Sequence, residues 1–149
     1  MYKGIRLIKE KIGSGHAAGR GDHLIYNLRS YLNRGDEIPI NDMSRVGENL
    51  KKYHPEFFRN EEGCEFINFR TCLGRRYVIR GIELSLYGMR EGGYRKVKIS
   101  PNLAYNIKGI PGKVPPNAAI IVEIWLRKII KKANGSCQEN VKELTLLEM

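Results

Sequence analysis

Residues able to do covalent or metal chemistry are few in this chain and poorly spaced for it. Cys64, Cys72 and Cys137 are odd in number and form no C-x-x-C pair, so neither a disulfide framework nor a zinc site is signalled and reduced thiols are expected. His54 stands alone beside Pro55 in a polar segment, the setting of a solvated imidazole rather than of a base or ligand. Gly13 to Gly21 is glycine-rich and reads G-x-G-x-x-x-G, one residue off the dinucleotide fingerprint. No βαβ pattern with a downstream acidic residue accompanies it, so it is read as a loop. Arg20-Gly21-Asp22 reads as a turn leading into a strand, and Asn134-Gly135-Ser136 matches a glycosylation acceptor only by coincidence, with no secretory signal ahead of it. No triad, metal cluster or carboxylate pair is apparent. The chemistry left open is the kind done by shape, desolvation and hydrogen bonds, with no cofactor.

The elements that would position such a surface fit one domain of residues 1–131 with a tail of residues 132–149, since 149 residues suffice for a single sizeable core. Hydrophobic residues at 42% exclude wholesale disorder. Lys and Arg number 26 against 16 Asp and Glu, a net charge of +10. The positive residues are spread along the chain in no long block, so net charge alone is read as a solvated basic surface and carries no nucleic-acid partner. Met1-Tyr2-Lys3-Gly4-Ile5-Arg6 lacks the apolar core of a signal peptide, and no stretch approaches the length of a membrane span. A cytoplasmic monomer is expected, or a periplasmic protein if an export signal has been removed.

Gly4 to Lys11, with Ile5, Leu7 and Ile8, suggests a first strand. His23 to Leu32 alternates, placing Leu24, Tyr26, Leu28, Ser30 and Leu32 on one face. Asn33-Arg34-Gly35-Asp36 is a turn by composition, and the polar region from Asn41 to Gly63 holds a short helix around Val46 to Tyr53, stopped by Pro55. Glu65 to Leu73 returns to strand composition. Tyr77 to Tyr87 reads as a short helix, with Val78, Ile82, Leu86 and Met89 spaced for one apolar side. Arg95 to Ile99 is a half-buried strand, followed by a loop holding Pro101, Pro111, Pro115 and Pro116. Ala119 to Lys128 is the clearest strand, with Ile120, Val122, Ile124 and Leu126 on one face and Glu123, Trp125 and Arg127 on the other. The tail from Lys131 reads as a loop with a short terminal helix. Five strands and one central helix indicate an α+β fold, an antiparallel sheet with its apolar face covered by the helix and a shallow apolar pocket between them.

The run from Gly92 to Tyr105, Gly-Gly-Tyr-Arg-Lys-Val-Lys-Ile-Ser-Pro-Asn-Leu-Ala-Tyr, continues through Gly109-Ile110-Pro111-Gly112-Lys113-Val114-Pro115-Pro116-Asn117-Ala118. It resembles the signature of the FKBP-type peptidyl-prolyl cis-trans isomerases. Leu73-Gly74 and Val78-Ile79-Arg80-Gly81 stand upstream at the family's separation, Tyr26 falls where the family keeps a pocket tyrosine, and the likeness covers about Gly4 to Lys128. The resemblance implies an enzyme that binds proline-containing segments of client proteins and assists folding by rotating X-Pro amides. It implies that the Tyr105 phenol hydrogen-bonds the substrate carbonyl and that the Ile79 N–H holds the peptide at the helix start. Tyr26, Phe69, Val78, Ile82, Val114 and Val122 would line the pocket.

Several positions depart from that pattern. Ile82 stands where active members carry a tryptophan, Val122 where a phenylalanine is usual, Ile38 replaces another aromatic, and Pro39 falls where an aspartate sits. Residues 40–68 form a longer connection than the family's usual one, read as a bulged strand or flap. Each lost large contact costs on the order of 1–3 kcal/mol of binding, which points to modest turnover and weak macrolide binding. The alternative is a non-catalytic peptide- or protein-binding module on the same fold.

Overall fold

The computed structural model describes residues 2–41, 46, 48–75, 78–105 and 108–130. Among them the strands are β1 (Ile5–Lys11), β2 (His23–Leu32), β3 (Glu37–Ile38), β4 (Phe58–Glu61), β5 (Cys64–Ile67), β6 (Phe69–Cys72), β7 (Tyr94–Ile99) and β8 (Ile120–Ile130), and the helices are α1 (Glu48–Tyr53) and α2 (Arg80–Leu86). The main sheet runs β1-β7-β8-β2-β3, with β6 also paired to β2, and every pairing is antiparallel. β2 and β8 form its spine, in register from Leu32↔Ile120 to His23↔Ile130 with a shift between Ile25 and Tyr26.

The alternation expected of β2 and β8 is present. Leu24, Tyr26, Leu28, Leu32, Ile120, Val122, Ile124 and Leu126 are buried on one face and meet Ile82, Leu84 and Leu86 of α2 in one core. The fold is therefore α+β, with six strands in the main sheet where five were expected. α2 is shorter than the expected Tyr77 to Tyr87, and Tyr77 lies outside the described residues. The helix is also enclosed on more than one side, since every residue from Gly81 to Leu86 is buried. Its polar groups are satisfied locally: Ser85 Oγ donates to the Gly81 carbonyl at 2.6 Å, and Glu83 accepts from the Gly74 N–H at 3.0 Å and from Arg80 at 2.9 Å. Arg95 donates to the Ser85 and Tyr87 carbonyls, both at 2.8 Å, placing a cation on the helix's C-terminal acceptors.

The strand expected over Glu65 to Leu73 is two strands. Asn68 breaks it: its N–H donates to the Phe57 carbonyl at 2.7 Å and its side-chain amide to the Glu56 carbonyl at 2.9 Å, so the backbone leaves the main sheet there. The β4–β5 hairpin, unseen in the sequence pattern, turns at Glu62-Gly63, where φ is 52° and 81°, the two positive values a tight hairpin turn needs. α1 begins at Glu48 rather than Val46 and is followed by a 3-10 turn at Pro55–Phe57.

The hairpin lies over the sheet face opposite α2. Asn27, fully buried on that face, donates to the Ile67 carbonyl at 2.9 Å and Asn68 Oδ1 at 2.8 Å and accepts from Arg127 Nε at 2.7 Å. Arg127 also pairs with Glu61 at 2.7 Å, and Phe66 meets Trp125 edge-on at 5.4 Å. Within the flap expected over residues 40–68, the β4–β5 hairpin is thus docked on the sheet.

Cys64 is a free thiol, whereas Cys72 is disulfide-bonded, which corrects the expectation of reduced thiols throughout. A spacing rule reads only cysteines close in sequence, so it does not register a bond closed by the fold. No described helix is long and apolar enough to cross a membrane. Cys137, the Asn134-Gly135-Ser136 triplet and the tail of residues 132–149 lie outside the described residues.

Candidate functional site

Two segments meet at the start of α2. The first is the turn into the helix, where Ile79 is the N-cap residue with φ −56° and ψ 148°. Its carbonyl accepts from the Ile82 and Glu83 N–H groups at 3.1 Å, while its own N–H donates to no described residue. An extended N-cap leaves its amide outside the helical ladder, available to an outside acceptor. The second segment follows β7, where Pro101–Leu103 form a 3-10 turn closed by Leu103 N–H to the Ser100 carbonyl at 3.0 Å and Ala104 N–H to Pro101 at 3.1 Å. The Tyr105 carbonyl accepts from Gly109 N–H at 3.0 Å, and Ile110 and Val114 exchange two bonds of 2.8 Å. These bonds tie Tyr105 to Gly109 and brace the turn between Ile110 and Val114.

Gly81 brings the segments together. A Cβ there would lie 2.3 Å from Ile99 Cγ2 and 3.0 Å from the Leu103 carbonyl oxygen, so a side chain would drive the helix off β7 and the Tyr105 loop.

All eight residues singled out by sequence belong to the hydrophobic core or pack against it. Tyr26, Phe69, Ile82, Val114 and Val122 belong to the buried core, and Val78, Ile79 and Tyr105 are half-buried and packed against it. Tyr26 and Phe69 are cross-strand partners on β2 and β6, with ring centroids 6.0 Å apart. Tyr26 and Val122 are fully enclosed, so they support the surface from beneath and do not line it. Leu103, Ala104 and Ile110, half-buried against the same cluster, were missed. The available signal was their apolar character in a loop whose neighbours are mostly polar. The arrangement is an apolar floor with a tyrosine and a backbone N–H at its rim. Among the described residues, no group of three or more His, Cys, Asp or Glu could hold a metal ion.

The sequence profile of the FKBP-type peptidyl-prolyl cis-trans isomerases matches residues 56–127. The chain is 38% identical to a 46 kDa FK506-binding nuclear protein of Spodoptera frugiperda over 126 residues, 85% of this chain and 26% of that one. It is 29% identical to FK506-binding protein 4 of Neurospora crassa over 129 residues, 87% and 23% of the two chains. With a 39 kDa FK506-binding nuclear protein of Drosophila melanogaster it shares 25% over 127 residues, 85% and 29%. The chain belongs to the FKBP family. It spans about a quarter of the length of these relatives.

Measured against the FKBP pattern, the departures read from sequence fall inside the core. Ile82 is 5% exposed at the first turn of α2, and Val122 lies beside Val97 and Ser30 in the sheet. Ile38, opposite Ser30 on β3, is buried in the same cluster, whereas Pro39 is exposed. Trp125, the chain's single tryptophan, is on the far face of the sheet against Phe66 and Tyr94. It cannot replace the aromatic floor.

Proposed function

We propose that residues 1–131 act as a peptidyl-prolyl cis-trans isomerase domain, binding X-Pro segments of client proteins at the start of α2. The observation that supports this is the close approach, at Gly81, of the α2 start that carries Ile79 to the Pro101–Leu103 turn that leads into Tyr105, with Ile79 and Tyr105 both packed against the apolar core. X-Pro rotation is slow because amide resonance sets a barrier of roughly 18–20 kcal/mol. The planar amide is the charge-separated form that water stabilises. Laying it on Val78, Ile79 and Val114, over Ile82 and Phe69, removes that stabilisation as the bond twists. The Ile79 N–H would hold a substrate carbonyl in place, and the Tyr105 hydroxyl would donate to the carbonyl whose environment changes most in the twisted state. No bond is broken, so no nucleophile is required.

The relatives are named for FK506 binding. In this chain Ile82, Val122 and Ile38 offer less aromatic surface, and weak macrolide binding is the corresponding expectation. The compartment is part of the same reading. Relatives named as nuclear proteins favour the reducing interior of the cell, while a disulfide at Cys72 is the kind of bond that oxidising compartments keep. Thiol alkylation in intact cells decides between them: a modified Cys72 places the protein in a reducing compartment, a protected one outside it.

The test of activity is NMR exchange on an X-Pro peptide with catalytic amounts of the protein. Acceleration is expected, falling about tenfold in Tyr105→Phe, the equivalent of roughly 1.4 kcal/mol. If several X residues are tried and none exchanges faster, the site binds without catalysis.

A further inference from the structure

The hairpin covers only one end of the outer sheet face, over Asn27 and Trp125. At the other edge of that face, β1 carries Arg6, Lys9 and Lys11, and β7 carries Lys96 and Lys98. Val97 and Ile99 are buried in the core, so the alternation of β7 turns its two lysines outward. The register sets Arg6 opposite Lys98, Lys9 opposite Lys96, and Lys11 opposite Tyr94. Like charges directly opposite each other destabilise an antiparallel pair. Among the described residues no carboxylate forms an ion pair with any of these five cations. Of the neighbouring acids, Glu10 pairs with Arg95 at 2.6 Å, and Glu123, opposite Lys96 on β8, accepts from Tyr31 and Tyr94 at 3.0 and 2.5 Å and forms no ion pair with Lys96.

We infer that this stripe is a binding surface for the phosphate backbone of a single-stranded nucleic acid, without sequence preference. Along a strand, cations two residues apart are separated by roughly 6.6–6.8 Å, and across strands by about 4.8 Å. That is a grid suited to singly charged groups repeating along a flexible chain. Four of the five cations are lysines, compact point charges rather than the planar forks that select carboxylates. Tyr94 lies at the end of the stripe beside Lys11 and Lys96; its ring packs on Trp125 at 5.3 Å and its hydroxyl donates to Glu123, and it is half-buried, so an unpaired base would stack on the part that remains exposed. An acidic peptide fits less well, because the outer-face positions bordering the stripe on β8 are Ile121 and the occupied Glu123, with no pocket for an apolar anchor. Net charge alone did not carry a nucleic-acid partner; the arrangement of these five residues does. The surface lies on the opposite side of the sheet from α2, so it leaves the prolyl site open.

The experiment is fluorescence anisotropy of a fluorescein-labelled mixed-sequence DNA single strand, titrated with the full chain at several salt concentrations. Five phosphate contacts predict a slope of log affinity against log salt of about −3.5, at about 0.7 per contact. Lys96→Gln/Lys98→Gln should weaken binding at least tenfold and make the slope shallower by about 1.4. Arg6→Gln/Lys9→Gln, on the other strand, should do the same, so a folding failure in one pair leaves the test standing. Arg34→Gln/Lys51→Gln, away from the stripe, should change neither quantity. Absence of binding at low salt, or unchanged binding in both stripe variants, overturns the inference. So does a poly-glutamate peptide of equal charge that binds more tightly than the DNA.

Discussion

Ile124 and Trp125 are neighbours on β8, yet they belong to two surfaces built on different physics. Ile124 faces α2 in a core of aliphatic side chains where shape and exclusion of water supply the stability. Trp125 faces the hairpin, where a buried asparagine, an arginine, a glutamate and three aromatic rings are joined by directional contacts. On the first surface the buried polar groups of α2, Glu83 and Ser85, are satisfied by the helix and its immediate neighbours, so the site it supports can be largely apolar. The second depends on each polar group finding its partner, because a buried donor or acceptor left alone costs about 1–3 kcal/mol. A prolyl-binding surface belongs on the first kind of face, and a docked hairpin or an ionic partner on the second.

The largest expected effect is on the core. Ile124→Ala should lower the unfolding free energy by about 2–5 kcal/mol, read from urea denaturation, since a fully enclosed aliphatic side chain leaves a cavity. A loss below 1 kcal/mol would mean that the core face is not packed as described. Asn27→Ala should cost less, about 1–3 kcal/mol, because it removes the Arg127 Nε acceptor and one donor to the Ile67 carbonyl. It should also speed proteolytic cleavage between residues 48 and 67 while leaving isomerase activity intact. Equal loss of activity and docking would show that the two faces are not separable.

Ile82→Trp tests the floor. Overpacking a site that is 5% exposed should cost about 1–3 kcal/mol of stability, while the regained aromatic surface should raise the isomerisation rate several-fold in the NMR assay. A variant that is stable but no faster would remove the floor from the account of turnover.

The smallest effect is electrostatic and belongs to the outer face. Burial first, and then the hydrogen bond to Glu123, push the Tyr31 phenol up to about 12, and Tyr94 rises further for the same two reasons. A raised phenol pKa contributes stability that is complete below the unfolded value of about 10 and is lost as pH climbs through the folded value. Absorbance titration should therefore find Tyr31 and Tyr94 among the tyrosines that ionise late, and Glu123→Gln should bring these two back toward the ordinary range. A single transition near the ordinary value in the parent protein would contradict the Tyr31–Glu123–Tyr94 bonding.

Much of the site was legible because it is local. The Tyr105 loop is written in consecutive residues whose prolines and glycines dictate its turns, and Val78-Ile79-Arg80-Gly81 mark the helix start by their own order. The core face was legible from the period of two in His23–Leu32 and Ile120–Leu126. The hairpin escaped because its alternation is masked: Arg59, Asn60, Glu65 and Cys64 are exposed around a few apolar residues that gain a partner only when they dock on Trp125. Asn27 shows the same limit. On sequence it belongs to the solvent side of β2, and it is buried because residues forty positions away fold over it.

The sequence by itself determined the strand periods, the loop that carries Tyr105, the family, and which aromatics the pocket lacks, since each of these is set by residue type at short range. Only the tertiary structure decided that the insertion docks on the back of the sheet, that Tyr26 and Val122 lie beneath the surface, and that five scattered cations share one face. Those outcomes depend on strand register and on the order β1-β7-β8-β2, which bring together residues nearly a hundred positions apart and which no local pattern encodes.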